Sequence, residues 1–349
     1  MSEKKGETKA KIKVEKKVSA FAATKAKAAL VPFSYAARPP AENEVQISIT
    51  HCGICHSDLH LVDDDWHMSE FPLVPGHEIV GIVENVGTAV SHLKKGERVG
   101  VGWQRSACLT CEQCLKGNEN LCADNLATCV RHHGGFASEI TVDGRFSFKI
   151  PRELSSETAA PLLCGGITVF APLRHFGVQT THKVGVIGIG GLGHLAIQFA
   201  SAMGCEVTAF SSTPAKEKEA RKLGANHFVG KLTAAELKKH VNSLDFIIST
   251  VFADLDWLQF VNALRPDGKL CFVGIPSANV SVPVIALLSG RKSICASPIG
   301  GRTDMEEMLL FAARHNIAAM TETMEMSKVN RAMDKLRAGK ARYRMVLKN

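Results

Sequence analysis

The chain has 349 residues, 45% hydrophobic and 22% charged, which is enough to bury a core and long enough for two domains. No apolar run reaches the roughly 18 residues of a membrane helix, so no membrane span is expected. The net charge is +8, but residues 1–27 hold nine Lys and three Glu and carry +6 of it, so the rest of the chain is nearly neutral.

Residues 1–17 therefore read as a Lys-rich, solvated tail. A zinc-stabilised protein touching nucleic acid through this tail is one alternative. However, the Lys run has no interleaved base-stacking aromatics, so no nucleic-acid partner is expected. The start lacks the apolar run of a secretory signal and has no Arg before Arg38, which points to the cytosol.

Residues 44–50, 79–83, 97–101 and about 137–150 are short Val/Ile-rich stretches between Gly, Pro and Asn. They predict a β-rich first domain. Two pieces with metal-ligating residue types fall inside it: Gly53–His60, reading GICHSDLH, and Gly76-His77-Glu78. A third, Leu163-Cys164-Gly165-Gly166, follows it. Each alone is weak. Together they meet the needs of a catalytic zinc, which takes three protein ligands and leaves one position open. One His with two thiolates suits a metal that polarises an alcohol oxygen. A ligating imidazole usually donates its other N–H to a carboxylate, and Asp58 is the candidate partner. Glu78 is a candidate second carboxylate or transient ligand. Ser57 beside the metal and His60 three residues on offer the proton a way out through the cofactor ribose.

Four of the eleven cysteines, Cys108, Cys111, Cys114 and Cys122, fall within fifteen residues as C-x2-C-x2-C-x7-C. Four thiolates on one short loop surround a tetrahedral Zn²⁺ and leave no place for substrate, so this site is expected to be structural. An iron–sulfur run would carry x3 and then a Pro at the fourth Cys, which is absent. Cys52, Cys129, Cys205, Cys271 and Cys295 read as packing residues.

From about residue 155 short apolar runs alternate with helix-like stretches. Strands are expected at 184–188, 206–210, 244–250 and 269–274, with helices at 193–203, 214–223, 234–240 and 255–264. That rhythm predicts a parallel, doubly wound sheet. Gly188-Ile189-Gly190-Gly191-Leu192-Gly193 fits G-x-G-x-x-G after a strand and before a helix, the context of a dinucleotide loop. The next strand ends in Ser211-Ser212-Thr213-Pro214-Ala215-Lys216. No carboxylate stands there to hold a ribose 2′-OH, whereas three hydroxyls and a Lys suit a 2′-phosphate, which favours NADP(H). After about 296, helices at 304–315 and 328–338 and a strand at 343–347 are expected to pack back on the first domain.

These motifs and their order resemble the zinc-containing medium-chain dehydrogenase/reductase family, and within it the cinnamyl alcohol dehydrogenase and NADPH-dependent aldehyde reductase branch. The resemblance runs from about residue 18 to the end. It implies a GroES-like catalytic domain (1–156 and 297–349) and a Rossmann cofactor domain (157–296). It implies Cys55, rather than Cys52, with His77 and Cys164 as catalytic-zinc ligands, and two Zn²⁺ per chain. It further implies that Thr168 approaches the nicotinamide, that Thr250 at a strand end contacts the cofactor, that Gly274, Ser297, Pro298 and Ile299 lie near the carboxamide side, and that a homodimer forms through residues 279–285. The implied reaction is hydride transfer between NADP(H) and a small alcohol or aldehyde. An NAD(H)-dependent polyol or secondary-alcohol dehydrogenase is the alternative within enzymes. Pro298 stands where lignin-type members tend to carry Phe, which argues against a dedicated aromatic-alcohol role.

Overall fold

The computed structural model describes residues 16–349. The tail read at 1–17 therefore lies outside the described residues except for its last two positions.

Six strands form an all-parallel sheet in the order His227–Val229, Glu206–Phe210, Lys183–Ile187, Leu244–Ser249, Leu264–Phe272 and Ser293–Ala296. The first of these in the chain, Lys183–Ile187, sits in the middle. The chain winds outward on one side, returns, and winds outward on the other. Strand order thus reverses between Lys183–Ile187 and Leu244–Ser249, and such a switch point opens a crevice at the strands' carboxyl ends. The helix Gly193–Ala202 buries Leu195, Ile197 and Phe199 against this sheet. Each such side chain stabilises the packing by roughly 1.5–3 kcal/mol. The glycine turn is thereby fixed at the crevice.

The second sheet runs Thr321–Glu325, Arg344–Lys348, Glu44–Ile54, Glu78–Val86, Arg98–Val101 and Phe148–Lys149, with Glu139–Asp143 also pairing Glu44–Ile54. Its core is a separate apolar cluster around Val45, Ile47, Ile79, Val83 and Val99. The C-terminal strand lies antiparallel to Glu44–Ile54, with Met345 opposite Ile54. Residues 291 positions apart thereby meet beside the segment that carries Cys55.

Several elements were not anticipated. The helix Gly165–His175 contains two glycines and Pro172, all poor helix formers, yet eight of its eleven residues are buried and packing overrides propensity. The strands His227–Val229 and Ser293–Ala296 are edge strands of three and four residues, too short to show a period. The helix His56–Asp63 hides inside a motif that reads first as chemistry.

Candidate active site and cofactor cleft

The strand Glu44–Ile54 ends at Cys55, which caps the helix His56–Asp63 with extended backbone. The Cys55 N–H donates to Asp58 Oδ2 at 2.8 Å, so a carboxylate three residues on closes the turn. The other Asp58 oxygen accepts from Gly76 N at 2.9 Å and lies 3.1 Å from His77 Nδ1. One fully buried carboxylate thus ties the two motifs together and leaves His77 Nε2 to face the site.

The ligand atoms of Cys55, His77, Glu78 and Cys164 all lie within 4.8 Å of one another. Cys164 arrives from the turn that opens the helix Gly165–His175. The two sulfurs are 3.9 Å apart. Tetrahedral zinc with bonds of about 2.3 Å requires about 3.8 Å between sulfurs. His77 Nε2 and Glu78 Oε2 are buried with no hydrogen-bond partner among the described residues. An orphaned buried polar atom costs about 1–3 kcal/mol, so the donor set fits a cation that would satisfy both.

Without a cation these groups compete for protons, which a bound metal would displace. The hydrogen bond with Cys164 pulls the Cys55 thiol well below its usual range and pushes Cys164 up, so the first proton of the pair leaves readily. Burial opposes charge on His77, but the Asp58 and Cys164 charges raise its pKa well above the usual imidazole value. Burial pushes Glu78 up to about 8, against the pull of Arg344. The Arg344 guanidinium hydrogen-bonds Glu78 Oε1, and both side chains are buried.

A cleft of about 880 Å³ opens above these groups. Cys55, Ser57, His60 and Cys164 line one side, and Thr168, Leu192, Gly274, Ser297, Pro298 and Ile299 also reach it. The Ser57 hydroxyl is 3.7 Å from Cys55 Sγ. His60 stacks on Trp66 at 5.0 Å, and its Nδ1 is 2.8 Å from Asp65 Oδ2. Thr250 does not line the cleft. Its hydroxyl donates to Ile187 O at 2.8 Å and so pins the end of the central strand.

The glycine turn follows from close approach. A Cβ at Gly193 would lie 1.8 Å from the Gly188 carbonyl oxygen, whereas one at Gly190 would meet nothing within 4 Å. The first packs helix onto turn; the second leaves room for a ligand, as a pyrophosphate cradle needs. Ile189 O accepts from Lys216 Nζ at 2.6 Å, which draws the Ser211–Lys216 segment over the turn. Ser211 is buried, Ser212 and Thr213 are exposed, and Thr213 N donates to Ser211 Oγ at 3.1 Å.

In a separate lobe, the thiols of Cys108, Cys111, Cys114 and Cys122 converge within 4.8 Å. Cys108 Sγ lies 3.9 Å from Cys114 and 3.5 Å from Cys122, spacings that again suit tetrahedral zinc. N–H groups of Thr110 and Cys111 lower the Cys108 thiol to about 6, favouring the thiolate.

Residues 41–152 match the alcohol dehydrogenase GroES-like domain, and residues 191–314 match the zinc-binding dehydrogenase domain. An aldehyde reductase from Synechocystis is 43% identical over 330 residues, covering 95% of this chain and 98% of its own. The chain belongs to the zinc-binding alcohol dehydrogenases. A cinnamyl alcohol dehydrogenase structure from Sorghum bicolor is similar with a TM-score of 0.91 and 38% identity, covering 95% of this chain and 98% of that one. A cinnamyl alcohol dehydrogenase from Helicobacter pylori, complexed with NADP(H), gives 0.87 and 32%, with 96% and 99% covered.

The roles of Arg344, Cys129 and Phe252 at the site of this dehydrogenase were invisible in its sequence. Arg344 is 266 positions from Glu78, and nothing local marks it as a partner. A Cβ at Gly191 would also meet its Nη1 at 2.9 Å, so the same guanidinium braces the glycine turn. Cys129, read as packing, groups with Asp58 and His77. Trp103 meets the His77 ring edge-on at 4.9 Å. Phe252, 41% exposed, faces the His56 and His60 rings from the opposite wall.

Proposed function

We propose that this dehydrogenase moves a hydride between NADP(H) and a primary alcohol or aldehyde, with Cys55, His77 and Cys164 holding a catalytic zinc and the four-cysteine lobe a structural one. The convergence of those three donors at the floor of an apolar cleft carries the reading. When bound, zinc supplies Lewis-acid polarisation of an oxygen and NADPH supplies the hydride. The chain's own residues do the rest. Asp58 fixes the His77 ring so that Nε2 stays a donor to the site. Trp66, Trp103 and Ile299 exclude water and accept an apolar side chain. Ser57 Oγ–H is placed to give or take the substrate-oxygen proton, with His60 as the next group outward. Thr168 and Ile299 border the nicotinamide position, while Ser211, Ser212, Thr213 and Lys216 favour a 2′-phosphate.

Purified protein is expected to oxidise NADPH when given cinnamaldehyde or benzaldehyde, with kcat/KM at least tenfold higher than with NADH. Ser212→Asp places a carboxylate against the phosphate and is expected to lower kcat/KM for NADPH by about a hundredfold, as loss of a charge-assisted contact worth ~3 kcal/mol would do. Wild-type preference for NADH overturns the cofactor assignment.

Two zinc ions per chain are expected by metal analysis. Cys111→Ser should leave one, and a loss of roughly 2–3 kcal/mol should lower Tm by about 3–4 °C. Retention of both ions defeats the structural-site assignment.

Val284, Ile285 and Leu288 are each at least 67% exposed on the helix Val284–Leu288, which has no buried residue. Such a patch supports a homodimer through this edge. All eleven cysteines are free, in keeping with a reducing, cytosolic setting. No described helix is long and apolar enough to cross a membrane.

A further inference from the structure

A second cavity, of about 530 Å³, lies in the catalytic half and shares no lining residue with the cofactor cleft. Its walls carry an unusual concentration of basic groups: Arg38, Arg105, Arg131, His132 and His133, with Tyr35 beside them. The acids nearby are already engaged. Glu44 takes both nitrogens of Arg38, with Oε1 at 2.6 Å from Nη2. Glu70 pairs with Arg131 at 3.1 Å. Glu139 pairs with Lys16 and accepts from Gln46 Nε2 at 2.6 Å.

Arg105 is the exception. It is partly buried and donates to the Thr141 carbonyl at 3.0 Å, and no carboxylate among the described residues is in ion-pair contact with it. A guanidinium has five N–H donors in a planar fork matched to carboxylate or phosphate, and most of this one's remain free for such a partner. The neighbouring His132 imidazole registers that charge. Burial, then the charges of Arg105, His133 and Arg38, holds His132 down at about 4, so it is neutral at pH 7. His133 packs its ring against Tyr35 at 4.2 Å and is lowered by burial. A guanidinium without a carboxylate partner in a partly dry pocket stays unfavourable until an anion joins it.

The floor is apolar. Val18, Leu73 and Ile140 are each at most 3% exposed, and all three line the cavity. The volume exceeds what a bare oxyanion needs and falls within the range of organic-ligand pockets. We infer that this cavity binds a small organic anion, whose phosphate or carboxylate sits on Arg105 while its apolar body rests on Val18, Leu73 and Ile140. The site is separate from the reaction cleft and does not depend on the dehydrogenase assignment.

The test follows the His132 and His133 ring resonances of the full-length protein by NMR during titration with phenyl phosphate, benzoate and inorganic phosphate. Saturable shifts of both rings are expected with an organic anion, and the tighter of phenyl phosphate and benzoate identifies the head group. Arg105→Gln is expected to weaken binding at least tenfold while keeping a folded spectrum. Should that variant fail to fold, Arg38→Gln, a surface change, is expected to weaken binding at least threefold. No shift at either imidazole, or equal affinity in the Arg variant that folds, overturns the site. Inorganic phosphate binding as tightly as phenyl phosphate overturns the organic part of the reading.

Discussion

Cys55→Ala is expected to lower kcat/KM for aldehyde reduction at least a thousandfold while leaving NADPH binding within about threefold of wild type. The thiol sits 3.9 Å from Cys164 and within 4.8 Å of the His77 and Glu78 ligand atoms, so its loss opens a three-donor set to two. If Lewis-acid polarisation contributes about 4 kcal/mol to the transition state, its loss corresponds to roughly a thousandfold at about 1.4 kcal/mol per tenfold. The glycine turn and the Ser211–Lys216 segment belong to the other sheet and are untouched, so cofactor fluorescence titration should still saturate. Zinc content is expected to fall from two ions to one. Full turnover in this variant rejects the donor set, and loss of cofactor binding as well would point to collapse of the cleft instead.

Arg344→Met should destabilise the fold by about 3–5 kcal/mol in urea unfolding at pH 9, where Glu78 is ionised. Arg344 is 4% exposed and its partner Glu78 is fully buried, so removing the guanidinium strands a carboxylate away from water. With Arg344 in place burial pushes Glu78 up to about 8, so at pH 9 it is ionised in the wild type, and part of the penalty is expected to appear as proton uptake when the guanidinium is lost and its pKa rises further. The double variant Arg344→Met/Glu78→Gln leaves no charge at these two positions and is expected to recover at least half of the lost stability, which a double-mutant cycle measures. A single-variant cost below 1 kcal/mol sinks this account. The pair links the C-terminal strand, the strand beginning at Glu78 and the glycine turn. A fall in cofactor affinity should therefore accompany the loss in stability.

What the chain announces and what it conceals follow from range. Cys108 to Cys122 are local: short spacing alone brings four sulfurs together, so the lobe was readable as a metal site. The G-x-G-x-x-G turn is equally local, since a strand, a tight turn and a helix follow one another without interruption. Cys55, His77 and Cys164 span 109 positions, and no spacing rule joins them. Their grouping was expected from the needs of a catalytic zinc, and the choice of Cys55 over Cys52 from the resemblance to a known family. Asp58 was nominated as the partner of an imidazole on chemical grounds, and its two oxygens do bridge the Cys55 and His77 segments.

By itself, the sequence determined the alternation of strand and helix after residue 155, the four-thiol loop and the glycine turn, because each depends on residues within about a dozen positions of one another. Only the folded chain decided that Arg344 faces Glu78, that Cys129 stands beside His77, that Phe252 closes the wall opposite His60, and that Arg105 lies among basic neighbours in a second cavity. These contacts join segments whose meeting is set by sheet order and burial. Side-chain chemistry states what a residue is able to do, but the company it keeps is fixed by which strands pair and which apolar faces must leave water.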